Sequence, residues 1–332
     1  MLRKEKSIEY SGVILKESKI PKLKEKNYYV LDYPLDGDAP KQFIKLYKFT
    51  KDSKIKKGNK KSWIPYIAKT AEKWYPHESI IEFAINKIGQ TLGLKMNETD
   101  LVIANGQIRF LSKYFLNPRE EKLVHGAEIC SEFFGDTIEG ERIANNKGEA
   151  RSVFTFEFIK DALRNVFPND FEMLMVEFVK MLVFDAIVGN NDRHFYNWGV
   201  IQNVRNTNKI ITFAPIYDSA RGLLWNFSEK NIEKHLGNYK AINGKKIEKY
   251  INGSKPRVSI DENKEANHFE LVDFIKRYNN EFQKIVVSLS TSEMEDQVIK
   301  MLNEDIFIYF SKNRKELIEI VLHKRFEKIR NI

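Results

Sequence analysis

The sequence predicts an α+β protein of two unequal lobes: a small β-rich lobe with one main helix, followed by a larger, mostly helical lobe. Three observations predict it. Aromatic and β-branched runs bounded by turn residues crowd the first third. A long apolar segment, FEMLMVEFVKMLVFDAIV at 171–188, sits near the middle. Beyond about His268 the apolar residues recur at helical spacing. The boundary falls at 116–120, which gives lobes of 1–117 and 118–332.

In chain order, YYVLDY (28–33) and QFIKLYKF (42–49) read as strands, with Gly37, Asp38 and Pro40 as turn residues between them. The run KDSKIKKGNKKS (51–62) has no apolar period and reads as a loop. HESIIEFAINKIGQTLGL (77–94) places Ile81, Ala84, Ile85, Ile88 and Leu92 on one face of a helix. DLVIANGQIRFLSKYF reads as a hairpin around Asn105-Gly106. The segment 171–188 is apolar all round, as a buried helix is, with Asn169 or Asp170 to start it and Gly189 to end it. WGVI (198–201) and KIITFAP (209–215) read as a strand pair turning near Arg205, which sets Asn197 opposite Ala214. The final helix aligns Ile318, Val321, Leu322, Phe326 and Ile329, a face for packing on the body; membrane-surface binding is the weaker alternative.

Composition narrows the function. The 332 residues contain one cysteine, Cys130, so neither an intrachain disulfide nor a cysteine-based metal site is expected. No run of about 18 apolar residues appears, so no membrane span is expected. The N-terminus has no secretory h-region. A cytoplasmic location is the expectation, secretion without an N-terminal signal being the alternative. The net charge of +9 comes mainly from lysine, which is read as solvated faces rather than a base-reading surface, so specific nucleic-acid binding is not expected.

VGNNDRHFYNWGVI (188–201) carries the chemistry. It follows the buried helix and precedes a strand. With PIYDSARG behind the returning strand, it brings Asp192, Asn197 and Asp218 to one end of the hairpin. Phosphoryl transfer from ATP needs such a set: a carboxylate for the acceptor hydroxyl's proton, and a carboxylate with an amide oxygen for Mg²⁺. Asp-x4-Asn is the spacing of protein-kinase catalytic loops. A strand lysine steadied by a helix glutamate completes the set. FIKLYK offers Lys45, with Lys48 as rival, and the helix offers Glu82, with Glu78 one turn earlier. His194 is read as a hydrogen-bonder within the loop and Arg193 as a surface or substrate-side charge.

At GNNDRHFYNWG and FAPIYDSARG, with FIKLYK, ESIIEFAINKIGQTLGL and FLSKYF upstream, the chain resembles the HipA-like serine/threonine kinases over roughly 42–224, most closely their compact CtkA-type members. The resemblance implies a bilobed protein-kinase-like fold and transfer from ATP to a protein Ser or Thr. It implies Asp192 as catalytic base, Asn197 and Asp218 as Mg²⁺ ligands, Lys45 as the phosphate-binding lysine and Glu82 as its partner. It also implies that 111–115, with Lys113, Tyr114 and Phe115, receives adenine through backbone groups. HipA proper has a further N-terminal subdomain and a glycine-containing phosphate loop whose serine is autophosphorylated. This chain starts short and has few glycines ahead of Lys45, so 16–26 or the loop from Lys51 is expected to serve the phosphates. An autophosphorylation switch and an antitoxin partner therefore do not carry over. The alternatives are a lipid or small-molecule kinase on the same core, or a nucleic-acid-binding protein with a vestigial site.

Overall fold

A computed structural model describes residues 1–33, 40–49, 54–206, 209–242 and 244–332. The expected turn at Gly37-Asp38 and the first lysine of the loop at 51–62 lie outside the described residues. The strands are β1 (Glu9–Tyr10), β2 (Tyr28–Leu31), β3 (Lys41–Leu46), β4 (Ile64–Lys69), β5 (Trp74–Tyr75), β6 (Thr99–Ala104), β7 (Gln107–Lys113), β8 (Glu121–His125), β9 (Gly199–Asn203) and β10 (Thr212–Phe213). The helices are α1 (His77–Thr91), α2 (Gly126–Phe134), α3 (Thr137–Asn145), α4 (Lys147–Val153), α5 (Phe156–Val166), α6 (Phe171–Val188), α7 (Glu229–Ile242), α8 (Lys245–Asn252), α9 (His268–Tyr278), α10 (Asn280–Leu289), α11 (Ser292–Met301) and α12 (Lys312–Arg330).

The N-terminal part is a five-stranded antiparallel sheet in the order β2-β3-β4-β7-β6. Asn105 and Gly106 both take positive φ, so the β6–β7 hairpin closes on the tight turn that Asn-Gly favours. The face of α1 formed by Ile81, Ala84, Ile85 and Ile88 is fully buried, and the helix packs on β6 and β7. The sheet alternates as a half-buried strand should: Ile44 and Leu46 point inward while Lys45 between them is partly exposed.

The C-terminal part is mostly helical around α6, which spans the expected residues and ends at Gly189 in the left-handed conformation. Its buried Asp185 pairs with Arg193, and the residues from Leu174 to Val188 mostly sit in the core. One feature was not foreseen here: β8 joins β9 and β10 in a second, three-stranded sheet. Pairing of Phe213 with Val200 sets the register, so Asn197 falls opposite Ile216, two residues beyond the expected Ala214. The last helix buries Leu317, Ile318, Val321, Leu322, Phe326 and Ile329 against the body. Among the described residues, no helix is long and apolar enough to cross a membrane.

The two parts meet behind α1. Ile216 donates its N–H to Lys95 O, and Asn97 donates its N–H to Ile216 O. Lys95 Nζ also donates to Phe213 O. The segment carrying Asp218 is thereby fastened to the N-terminal sheet.

Candidate active site

The stretch 188–201 is built on an aromatic footing. Trp198 is buried, stacks on Phe213 at 6.1 Å and meets Phe178 of α6 at 4.9 Å. Its neighbour Gly199 lies so close to β8 that a Cβ there would come 2.3 Å from Val124 O. That contact explains Trp-Gly after Asn197: the indole anchors the loop and the glycine admits the adjacent strand.

Arg193 ties the loop together. It is fully buried, which corrects the surface or substrate-side role expected for it. Its Nε donates to Asp185 Oδ2 at 2.9 Å and its Nη2 to Asp185 Oδ1 at 3.0 Å, a bidentate pair with a buried carboxylate. The same guanidinium donates to the carbonyls of Asn197 and Tyr217 and to Ser219 Oγ. One side chain therefore joins the end of α6, the Asp192–Asn197 loop and both flanks of Asp218. Asp185 was not singled out from the sequence; the signal was there, since it is the only charged residue in MLVFDAIV.

The expected set comes together around this hub. Asn190 Oδ1 accepts from Asp192 N–H, and Asn197 Nδ2 donates to Asp192 O at 3.0 Å. With its amide nitrogen spent, Asn197 has its carbonyl oxygen left for a ligand. Asp218 sits at φ +52°, a left-handed conformation unusual for a residue with a side chain and frequent at functional sites. His194 Nδ1 accepts from Tyr196 N–H, the local role expected for it, and burial lowers its pKa against the pull of Asp192 and Asp218.

The lysine is not the expected one. Lys69, the last residue of β4, donates from Nζ to Glu82 Oε1 and to Asp218 Oδ1, each at 2.9 Å. Lys45 instead donates to Lys61 O at the surface, and Lys48 is paired with Asp100. Topology gives the reason. The helix carrying Glu82 lies under β6 and β7, and β4 is the strand beside β7, whereas β3 is one strand farther out. Lys45 also pairs with Pro65, four residues from Lys69, or about 13 Å along the strand. The sequence signal that was passed over is YIAK, a strand ending in lysine directly ahead of the helix. Glu78 accepts from Trp74 N–H and plays no part in this pairing.

The electrostatics of the trio follow from burial and mutual charge. Burial pulls the Lys69 pKa down, but Asp218 and Glu82 outweigh it and hold the ammonium charged. Burial pushes Glu82 up to about 7 despite Lys69. Asp218, against the cost of burial, is held down at about 2 by Lys69. The ammonium is shared between the two carboxylates, at 2.9 Å from each. Behind it a polar cavity of about 10 Å³ lined by Glu82, Asn86, Thr99, Ser112 and Asp218 has room for about one water.

The other expected residues are placed as follows. Lys113 closes β7 and pairs with Glu98; Tyr114 packs edge-on against Phe43, and Phe115 meets Tyr217. Lys113 N–H donates to Glu98 O, Lys113 O accepts from Asn97 Nδ2, and Tyr114 N–H donates to Pro65 O. Those three backbone groups are engaged within the protein. The segment 16–26 bonds through Leu23 N–H to Ile103 O at the β6 edge, and Trp63 Nε1 folds the described part of the lysine loop back onto Lys56 O.

Asp192 faces two arginines that the sequence did not suggest. Arg257 Nη2 donates to Asp192 Oδ1, and Arg221 Nε lies 3.5 Å from Oδ2.

The chain as a whole has relatives among known proteins. The HipA-like C-terminal domain matches residues 35–307. The chain belongs to this family. Comparison with curated proteins returns no sequence match. Among solved structures, the proinflammatory kinase CtkA of Helicobacter pylori is 21% identical with a TM-score of 0.65, over 86% of this chain and 90% of that one. HipA of Shewanella oneidensis, from the complex of the HipA–HipB toxin–antitoxin system with its operator DNA, is 12% identical with a TM-score of 0.53, over 91% of this chain and 66% of that one. At these identities the likeness is one of fold: an N-terminal β-sheet and a mostly helical C-terminal part, shared with kinase structures.

Proposed function

We propose that this HipA-like chain is an ATP- and Mg²⁺-dependent serine/threonine protein kinase, with a nucleotide-binding lobe at 1–117 and a catalytic lobe at 118–332. The observation that carries the proposal is Lys69, whose ammonium joins Glu82 on the N-terminal helix to Asp218 beside the Asp192–Asn197 loop. That is the charge arrangement a triphosphate needs. Lys69 presents a fixed cation to the phosphates, and Glu82 holds it in place.

Asp192 takes the proton from the acceptor hydroxyl as its oxygen bonds to the γ-phosphorus. The bond from that phosphorus to the β–γ bridging oxygen breaks, and ADP leaves. Asn197 and Asp218 suit a hard cation: one offers an amide oxygen, the other a carboxylate that Lys69 keeps ionised. Mg²⁺, when bound, would neutralise phosphate charge. A protein Ser or Thr is the acceptor, as the resemblance to the serine/threonine kinases suggests.

The test is a mass-spectrometric map of phosphorylated residues on the chain and on a lysate after incubation with ATP, with Mg²⁺ or with a chelator. Phosphoserine or phosphothreonine should appear only with Mg²⁺ and should vanish in Asp218→Ala. Transfer that survives the chelator would refute the metal role, and new phosphate on lipid or metabolite but not protein would refute the acceptor.

A further inference from the structure

Asp192 is an unusual general base in that two guanidiniums already cover it. Arg257 bonds one carboxylate oxygen and Arg221 approaches the other at 3.5 Å. Two cations meet one anion, so one positive charge is left over. Lys147 lies near the same cluster: burial first, then Arg257 and Arg151, lower its pKa, while Asp192 raises it. The cluster is partly open to solvent; the side chains of Arg257, Arg221 and Asp192 are 20%, 31% and 22% exposed.

These cations are held in place rather than loose. Arg257 lies on the segment between α8 and α9, and Arg151 of α4 staples that segment by donating to the carbonyls of Pro256, Lys264 and Ala266. Ser259 Oγ returns a bond to Arg151 O, and Phe156 N–H donates to Ser259 O. Arg221 is braced against the ring of Trp225 at 4.3 Å. Within the described residues, Arg257 Nε has no acceptor, so the guanidinium fork is under-used where it stands. An arginine fork fixed in position with spare donors suits a carboxylate or phosphate.

We propose that Arg221 and Arg257 form a subsite for an anionic group, a phosphate or carboxylate, on the protein substrate next to the acceptor hydroxyl. This rests on the kinase assignment of Asp192. In the free protein Asp192 occupies the subsite itself. A substrate bearing a neighbouring phosphoserine or glutamate takes over the donors of the two arginines where they stand, and the carboxylate is released to take the hydroxyl proton. Acidic acceptor sequences are thereby selected, and the base is exposed only when one is bound.

The experiment is calorimetric titration of the full chain with three serine peptides identical but for phosphoserine, glutamate or glutamine beside the acceptor, with and without ATP and Mg²⁺. The phosphoserine peptide should bind most tightly and the glutamine peptide least. Arg221→Gln and Arg257→Gln should each erase that order, the former serving if the latter does not fold. Asp192→Asn, which removes the competing carboxylate, should bind the phosphoserine peptide about 3–10-fold more tightly. Equal binding of all three peptides, a preference that survives both arginine substitutions, or no gain in Asp192→Asn would overturn the proposal. If ATP displaces the phosphoserine peptide, the anion the arginines serve is the nucleotide's, which also overturns it. Binding needs no turnover, so charge-selective binding without phosphate transfer would refute the kinase assignment and leave the subsite standing.

Discussion

Two arginine–aspartate pairs meet at one loop, and they differ in kind. Arg193 and Asp185 are buried, bidentate and wrapped in further hydrogen bonds to backbone and Ser219. Arg257 and Asp192 are partly exposed, with a second arginine alongside. The first pair is a structural rivet, because a buried charge stripped of its partner is costly. The second is partly solvated, worth little to stability, and free to trade partners. Burial and completeness of hydrogen bonding, not residue type, separate the residues that build the site from those that act in it.

The largest contrast should appear in activity. Asp192→Asn is nearly isosteric and should leave the melting temperature close to wild type while phosphate transfer falls about 10²–10⁴-fold, the usual worth of a positioned base. Asp185→Ala should do the reverse in kind: it leaves Arg193 buried and unpaired, and chemical denaturation should show a loss of about 3–5 kcal/mol. Equal stability losses in the two variants would erase the distinction.

A smaller effect concerns acid. His77 is buried and pushed down to about 2 by burial and by Arg314; His268 is likewise held well below its ordinary value, by burial and then Arg325 and Arg151. Both stay neutral in the folded chain and take protons once it unfolds. Their contribution is therefore present above about pH 6.5 and lost as pH falls. Glu82 acts with the opposite sign: raised to about 7, it is protonated first in the folded state and stabilises it as pH falls from 7 towards the ordinary carboxylate range. The informative quantity is thus a difference. Between pH 7.5 and 5.5 the wild type should lose about 1 kcal/mol more than His77→Gln. Parallel stability curves would mean that His77 titrates normally.

Much of this was legible in the sequence. The long, all-round apolar run of α6, the Asn-Gly hairpin and the spacing from Asp192 to Asn197 are local patterns, and each appears where expected. Asp218 was found because a short hairpin ties it to the loop. The lysine was missed because its position depends on sheet order: FIKLYK was read as the strand and YIAK was not read at all, and only the placement of β4 beside β7 decides between them. Arg257 and Arg221 were missed for the same reason at longer range, since 65 residues separate Arg257 from Asp192 and no periodicity connects them.

In the proposed reaction Lys69, not Lys45, carries the phosphates of ATP in a metal-dependent site. Calorimetric titration with ATP and Mg²⁺ of the wild type, Lys69→Ala and Lys45→Ala tests it most directly. The account predicts that Lys69→Ala abolishes measurable binding while Lys45→Ala binds as the wild type does. Undiminished binding in Lys69→Ala, or its loss in Lys45→Ala with the fold intact, would contradict it.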